Sequence, residues 1–208
     1  MQRFAVFDID HTIHRGSLAN ELALELIERG LICKSITEAQ DFLAERKTYN
    51  LLRLFRAAKD IGINYQDYLM AAEYVGSHMD RKVNRRPADL MTNCMGKGMT
   101  TIAISHSPYP VVKPFCDHTG PFDIVVAPRP SNSEGYVGPS IVGIDKRDKG
   151  EWLRRIVELH DLVFDGSVGV GDSEPDIAML RMVERAIAYR PSDELRAVAE
   201  QNQWEIWD

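Results

Sequence analysis

The sequence predicts a doubly wound, Rossmann-like α/β core with a parallel sheet, and a small all-helical cap inserted after the first strand. An apolar run at residues 4–7 ends in acidic residues, as a buried strand of such a sheet does. Residues 17–90 carry helical patterns almost throughout, whereas later apolar runs alternate with helical ones. We therefore predict a core of residues 1–13 and 88–208, and a cap of residues 14–87.

The predicted cap consists of helices. Ser17 precedes apolar residues at near-helical spacing that stop at Gly30, which predicts a first helix with a signal at each end. Further helices are predicted over residues 36–59 and 65–79, and a fourth begins near Pro87. Almost nothing in this block is typical of a strand.

The predicted core resumes with a strand over residues 100–104, a helix over 110–118 and a strand over 122–127. Pro, Asn, Ser and Gly within residues 129–144 indicate a hairpin. The later elements alternate: a helix over 150–160, a strand over 168–170, a helix over 176–183, a strand over 186–188, and a last helix capped by Ser192 or Asp193. This alternation predicts a parallel sheet covered on both faces.

Composition narrows the class of protein. A chain of 208 residues can form one sizeable domain with a smaller insert. Its formal net charge of -6 argues against a nucleic-acid partner, which favours a basic surface. The first residues lack a secretory signal pattern, and no stretch approaches the roughly 20 apolar residues that span a bilayer. The three cysteines are far apart and form no CxxC pair, so we expect a reduced, cytoplasmic protein with no membrane partner. The sequence does not indicate an oligomeric state.

Two aspartates follow the first predicted strand, in the stretch Asp8-Ile9-Asp10-His11-Thr12. Residues two apart in an extended chain point the same way, so both carboxylates can face one site. Nearby carboxylates repel each other unless a cation or a proton lies between them, and Mg²⁺ prefers oxygen ligands. One carboxylate could then attack phosphorus while the other transfers a proton. The alternative is a solvated turn, where aspartate is common.

Ser105 and Lys149 could bind a phosphate group. Ser105 follows the second predicted strand, where a hydroxyl and free amides can hold phosphate oxygens, although serine is common at strand ends in any case. Lys149 starts a predicted helix, where the helix dipole mildly disfavours a cation. That position indicates an anionic partner for Lys149, with Lys146 as a rival and a plain surface lysine as the alternative.

The stretch Gly171-Asp172-Ser173-Glu174-Pro175-Asp176 follows the strand predicted at residues 168–170. Asp172 would supply another oxygen ligand at the same edge of the sheet. Asp176, one helical turn later, could orient the cation or the lysine. Helix capping explains Ser173 without any catalysis, but it does not explain Asp172 at the end of a strand.

These stretches together resemble the haloacid-dehalogenase (HAD) superfamily of aspartate-dependent phosphatases, over nearly the whole chain. The stretch from Asp8 to Thr12 matches the first family motif, Ser105 the second, Lys149 the third, and residues 171–176 the fourth. The helical block is similar to the cap of subfamily IB, which contains the phosphoserine phosphatases. The resemblance implies a Mg²⁺-dependent hydrolase that acts on a small phosphorylated metabolite.

The resemblance also implies residue roles. Asp8 is the nucleophile that forms an aspartyl phosphate, and Asp10 protonates the leaving oxygen and then activates water. Mg²⁺ is held by the carboxylates of Asp8 and Asp172 and by the backbone carbonyl of Asp10. Ser105 and Lys149 bind the transferring phosphoryl group.

Asp176, in the same resemblance, supports the metal shell and the lysine. Two histidines depart from the family pattern, because His11 occupies a common glycine position and His106 a position where small residues are common. Each imidazole could line the pocket, bind substrate or be exposed, and exposure is favoured for either one alone. The glutamate that phosphoserine phosphatases carry shortly after the first motif is missing, since Glu21 comes late; this weakens phosphoserine as the substrate.

Basic residues of the predicted cap could contact an acidic substrate, although a solvated charged face is favoured. They are Arg53, Arg56, Arg81, Lys82, Arg85 and Arg86. The predicted function is hydrolysis of a small phosphomonoester. One alternative is phosphoryl transfer to an acceptor other than water, and another is a catalytically silent binding module on the same fold. The resemblance argues against dehalogenation, because dehalogenases lack an acid/base at the position of Asp10.

Overall fold

The computed structural model describes residues 2–32, 62–79, 82–120, 122–142 and 148–208. The helix predicted over residues 36–59 lies outside them, together with Arg53, Arg56, Arg81 and Lys146. No helix among the described residues is long and apolar enough to cross a membrane.

The described helices and strands follow one another in chain order. They are β1 (Gln2–Phe7), α1 (Leu18–Glu28), α2 (Tyr65–Ser77), α3 (Arg85–Gly96), β2 (Thr100–Ile104), α4 (Tyr109–Thr119), β3 (Ile124–Val126), β4 (Arg129–Ser133), β5 (Tyr136–Val142), α5 (Lys149–Leu159), β6 (Leu162–Gly171), a 3₁₀ turn (Glu174–Asp176), α6 (Ile177–Leu180), β7 (Arg185–Tyr189), α7 (Asp193–Gln201) and β8 (Glu205–Trp207).

Six strands form one parallel sheet in the order β3-β2-β1-β6-β7-β8, and β4 pairs with β5 as an antiparallel hairpin. β1 lies in the middle, with Val6 opposite Ile102 of β2 on one side and Gly169 of β6 on the other. The chain runs outward from β1 through β2 to β3 and then returns to β6, so the strand order reverses between β1 and β6. Open α/β sheets bind ligands at the carboxyl ends of the strands at such a point.

Helices cover both faces of the sheet, as the sequence predicts. Alternate residues of β1 enter different clusters, because successive side chains of a strand point to opposite faces. Ala5 and Phe7 pack with the apolar residues of α1, α2, α3 and α4. Phe4 and Val6 pack with those of α5, α6 and α7. The doubly wound prediction is therefore confirmed at the level of layers.

The helices of the predicted cap pack directly on the core. α2 lies against α4 so closely that a Cβ on Gly76 would be 2.6 Å from the carbonyl oxygen of Val111. The β4–β5 hairpin also meets the start of α2, because Val137 donates its amide proton to the carbonyl of Ile63 at 2.9 Å. The division at residues 14 and 87 stays a prediction. The predicted fourth helix is present as α3, which begins at Arg85, two residues before the predicted start near Pro87.

Three elements differ from their predictions. β6 spans ten residues rather than three, because a register shift opposite Arg3 accommodates the Asp165-Gly166 stretch, which by itself is unfavourable in a strand. The helix predicted over residues 176–183 is shorter in the structure, where a 3₁₀ turn and α6 end at Leu180. Val183 then lies so close to Gly169 that a Cβ on that glycine would be 2.9 Å from Cγ2 of Val183. The edge strand β8 was not predicted at all.

Candidate active site

The carboxyl ends of β1, β2 and β6 bring Asp8, Ser105 and Asp172 to one edge of the sheet. Asp8 continues the ladder between β1 and β6, since its amide donates to the carbonyl of Val170 at 2.9 Å. Ser105 continues the ladder between β2 and β3 in the same way, with the carbonyl of Val126 at 3.0 Å. Main-chain pairing therefore positions these side chains, and little depends on flexible loops.

Lys149 connects two of the carboxylates. Its Nζ lies 2.5 Å from Oδ1 of Asp8 and 2.6 Å from Oδ1 of Asp176. Asp8, Lys149 and Asp176 are 4%, 2% and 0% exposed, so this ion triplet is shielded from water. α5 begins at Lys149 because Asp148 caps it, accepting from the amides of Gly150 and Glu151.

Asp176 is held on both sides. While Oδ1 accepts from Lys149, Oδ2 accepts from the amides of Asp172 and Ser173 at 3.0 and 3.1 Å. The close approach requires glycine at position 171, because a Cβ there would lie 2.5 Å from Cβ of Asp176. With both oxygens engaged, Asp176 fits the supporting role that the sequence analysis assigned to it.

Asp10 has a different environment, half-buried and without an ammonium partner among the described residues. Its Oδ1 accepts from the amide of Leu18 at 2.6 Å, and its Oδ2 accepts from Oγ of Ser105 at 3.0 Å. Ser105 Oγ in turn accepts from the amide of Ser107 at 2.9 Å, and Ser107 Oγ accepts from the amide of Ala19 at 3.0 Å. The first turn of α1 is thus tied to both predicted motifs.

The carboxylates outnumber the cations. Burial, opposed by the nearby Lys149, raises the pKa of Asp8 to about 7, with Asp176 and Asp10 adding to the increase. Burial together with Asp8 and Asp176 raises the pKa of Asp172 to about 9. Burial alone would lower the pKa of Lys149, but Asp176 and Asp8 outweigh it and hold that pKa above its ordinary value.

The site has the features of a hard-cation site. Carboxylate oxygens of Asp8, Asp172 and Asp176 lie within 4.8 Å of one another. Oδ2 of Asp8 is buried and has no hydrogen-bond partner in the described part of the chain. A buried carboxylate oxygen left without a donor is costly, and a divalent cation bound to oxygen ligands would satisfy it. Mg²⁺ therefore fits these residues.

The two histidines that differ from the family pattern, His11 and His106, lie in different environments. His11 is exposed and has a left-handed backbone with φ of 60°, which explains why glycine suits this position better. His106 packs edge-on against Trp152 with ring centroids 5.7 Å apart. The interpretation of His11 as an exposed side chain is confirmed, whereas His106 is half-buried beside the site.

The described basic residues of the predicted cap are engaged elsewhere or exposed. Lys82 pairs with Glu21 at 2.5 Å, and Arg86 stacks on Trp207 with its Cζ 4.0 Å from the ring centroid. Arg85 is exposed at the start of α3. These contacts fit the prediction of a solvated charged face.

Sequence reasoning missed the part played by Ser107 and by the amide of Leu18. Ser105 and Ser107 are two apart and could share a side in an extended chain, but serines at such spacing are too common to single out. His14 was missed as well. Its ring is fully buried, packs edge-on against Phe115, and has no hydrogen-bond partner among the described residues.

Comparison with known proteins supports the fold. The family model described as haloacid dehalogenase-like hydrolase matches residues 5–181. A histidinol-phosphatase of Neisseria meningitidis serogroup C (strain 8013) is 24% identical over 224 aligned residues, which cover 99% of this chain and 98% of the relative.

Two solved structures resemble the whole chain. A protein of unknown function from Bordetella pertussis Tohama I has a TM-score of 0.79 and 22% identity, and the match covers 100% of this chain and 99% of that one. A phosphoserine phosphatase solved as a phospho-aspartyl intermediate analogue has a TM-score of 0.69 and 17% identity, with coverage of 99% and 92%. At these identities the likeness establishes the fold, and it confirms the Rossmann-like prediction.

Proposed function

The chain belongs to the haloacid dehalogenase-like hydrolase family, and on that premise we propose that it hydrolyses small phosphomonoesters through an aspartyl phosphate on Asp8. The observation that carries the proposal is the setting of Asp8. It lies at the point where the strand order reverses, with one oxygen on the ammonium of Lys149 and the other buried and without a donor from the residues that the structure describes. A carboxylate placed in this way is oriented: one of its oxygens can bind Mg²⁺, and the other, which now contacts Lys149, can form the new bond to phosphorus.

The charge around Asp8 suits attack on a phosphate. An anionic nucleophile and an anionic phosphoryl group repel each other, so catalysis requires positive charge at the point of contact. Lys149 supplies one such charge, and Ser105 adds a hydroxyl at the same sheet edge. We assign the binding of the transferring phosphoryl group to these two side chains.

Mg²⁺ would be held by the carboxylates of Asp8 and Asp172 and by the backbone carbonyl of Asp10. Bound there, the ion would supply positive charge to the transferring phosphoryl group and offset the repulsion among the carboxylates. Asp176 supports this set indirectly, because both of its oxygens already accept hydrogen bonds. The raised pKa values of Asp8 and Asp172 support the proposal, since they indicate a shortage of positive charge.

Asp10 is the proposed acid and base. It donates a proton to the leaving oxygen when the ester bond breaks, and it takes a proton from water when the aspartyl phosphate is hydrolysed. Its position two residues after Asp8, at the same sheet edge, supports this role. The proposed substrate class is that of small phosphorylated metabolites, and we keep the prediction of a cytoplasmic enzyme.

The test is a phosphate-release screen with Mg²⁺ over amino-acid, sugar, nucleotide and headgroup phosphates. It includes phosphoserine and histidinol phosphate, because relatives carry those names. We expect turnover that EDTA removes and excess Mg²⁺ restores. Asp8→Asn should reduce it by at least about a thousandfold, because the nucleophile is lost. The matched control is Asp117→Asn, which alters an exposed ion pair on α4; full activity in Asp8→Asn would refute the mechanism.

A parallel measurement separates hydrolysis from phosphoryl transfer. With an alcohol acceptor present, a hydrolase releases one phosphate for each alcohol that leaves the substrate. A phosphotransferase releases less phosphate and forms a new ester. No metal dependence and no turnover across the panel would favour the silent binding module instead.

A further inference from the structure

The two oxygens of Asp10 face groups of different chemistry. Oδ1 faces the amide of Leu18, and a backbone N–H can only donate. Oδ2 faces the hydroxyl of Ser105, which can either donate or accept. Protonation weakens a carboxylate oxygen as an acceptor, so the oxygen that faces an obligate donor is the poorer place for a proton, whereas the oxygen that faces a hydroxyl can donate its proton to that hydroxyl.

The donor at Oδ1 comes from the first turn of α1. Leu18 and Ala19 are the first two residues of this helix, whose initial amides have no acceptor within the helix. Here the amide of Leu18 is accepted by Asp10, and the amide of Ala19 by Ser107. Ser107 is 0% exposed and also donates its own amide to Ser105. These contacts form a closed ring through Asp10, Ser105, Ser107 and the start of α1.

We propose that the Leu18 amide anchors Oδ1 of Asp10, so that Oδ2 is the oxygen that carries the proton, and that Ser107 is the positioning residue that holds this amide in place. The inference rests on the proposed function, because it concerns the acid and base of the same reaction. Ser107 acts only through α1 and Ser105, and it contacts neither phosphate nor Mg²⁺ in this proposal.

The proton balance of both steps passes through Oδ2. When the oxygen of Asp8 bonds to phosphorus, the bond from phosphorus to the ester oxygen breaks and its electron pair stays on that oxygen, which takes the proton from Oδ2 and leaves as an alcohol. When water then bonds to phosphorus, Oδ2 accepts its proton and the bond to Asp8 breaks, which releases inorganic phosphate. Ser105 can turn its hydroxyl toward the phosphoryl group, so Oδ2 is free at both stages.

The test removes a single backbone proton. Leu18 is the first residue of α1, a position where proline is tolerated, and Ser17 before it has φ of −109° and ψ of 120°, as a residue before proline requires. Leu18→Pro therefore deletes the donor and displaces Oδ1 while the helix can still form. Leu18→Ala is the matched control, because it removes the buried side chain but keeps the N–H.

The readout is the dependence of kcat/KM on the leaving group, because kcat/KM reports the first step, in which the alcohol leaves, whereas kcat also contains the hydrolysis of the aspartyl phosphate, which is the same for both substrates. p-Nitrophenyl phosphate needs little help from an acid, whereas phenyl phosphate needs more, because phenolate is the poorer leaving group. We expect the ratio of kcat/KM for p-nitrophenyl phosphate to kcat/KM for phenyl phosphate to rise about tenfold in Leu18→Pro relative to Leu18→Ala. Equal ratios in the two variants would overturn the proposal.

A second variant covers the case in which Leu18→Pro does not fold, as judged by circular dichroism. Ser107→Ala should raise the same ratio about threefold. Its control is Ser167→Ala, which removes another buried hydroxyl that bridges backbone groups away from the site, at Phe164 and Glu184. An unchanged ratio in Ser107→Ala would overturn the proposal as well. Lack of turnover in the unaltered protein would instead contradict the proposed function, so the two failures are distinguishable.

Discussion

Asp8 and Asp10 are two residues apart, yet their carboxylates contact different kinds of partner on two sides of the site. On the lysine side, defined by Asp8, Lys149 and Asp176, one buried ammonium pairs with two buried carboxylates at 2.5 and 2.6 Å. On the helix side, defined by Asp10, the first turn of α1 and Ser105, a half-buried carboxylate accepts from neutral donors alone, as far as the described residues go. Ion pairing on one side and hydrogen bonds from neutral donors on the other therefore give two side chains of the same type different electrostatic environments.

The difference has consequences for stability. A buried ion pair contributes little net stability, but removing one partner leaves a charge without compensation. A carboxylate held by neutral donors can be replaced by an amide that still accepts the same hydrogen bond. Changes on the lysine side should therefore destabilise the fold, whereas changes on the helix side should alter turnover.

The largest expected effect comes from Lys149→Met. Without metal, we expect the free energy of unfolding to fall by about 3–5 kcal/mol, because two buried carboxylates lose their cation. Chemical denaturation in EDTA measures it. The control Lys113→Met breaks an exposed ion pair with Asp117, where the lysine side chain is 41% exposed, and should cost no more than about 1 kcal/mol. Equal losses in the two variants would contradict the comparison.

Asp10→Asn tests the helix side. An amide oxygen can still accept from Leu18 and an amide nitrogen can donate to Ser105, so we expect the free energy of unfolding to stay within about 1 kcal/mol of the unaltered protein. Turnover of alkyl phosphates should fall by about a hundredfold or more, because the acid and base is lost. Denaturation curves and phosphate release on the same samples measure both quantities. A large loss of stability here would remove the distinction between the two sides.

The smallest effect concerns pH and Mg²⁺. Burial, which outweighs the opposing ammonium of Lys149, raises the pKa of Asp8 from 3.8 to about 7, and burial with Asp8 raises that of Asp172 to about 9. At pH values between the ordinary pKa of 3.8 and these raised pKa values, the folded protein binds more protons than the unfolded chain. Without metal, the stabilising contribution of these groups is complete below about pH 4 and is lost as the pH rises to about 9.

Mg²⁺ binds the deprotonated carboxylates, so it should raise Tm by a few degrees more at pH 8.5 than at pH 5. Thermal melts in EDTA and in excess Mg²⁺ at both pH values measure the difference. Asp8→Asn should reduce the difference, because it removes one of the titrating ligands. A greater increase in Tm at pH 5 would contradict the expectation.

Much of the fold could be predicted because its signals are local. Residues 100–104 form β2 as predicted, since a short apolar run ended by Ser105 has few other ways to fold. The hairpin and the helix that Ser192 caps are confirmed for similar reasons of local turn and capping chemistry. β8 and the first half of β6 escaped prediction because pairing with a neighbouring strand, and not the local sequence, makes them strands.

The sequence by itself determined the residue types of the site and their place at strand ends and helix starts. Asp8, Asp10, Ser105, Lys149, Asp172 and Asp176 were all predicted, and the structure brings them to one edge of the sheet. For Asp8, Ser105 and Asp172 a position at the end of a predicted strand suffices, because parallel strands end at the same edge.

Only the tertiary structure decided how the two aspartates differ. Lys149 is 141 residues from Asp8 in the sequence, and the amide of Leu18 reaches Asp10 only because α1 begins where it does. Contacts of this kind depend on the packing of α1 and α5 on opposite faces of the sheet, and on the direction of single donor groups. Residue patterns describe side chains, whereas the anchoring donor at Asp10 is a backbone N–H that every residue except proline carries.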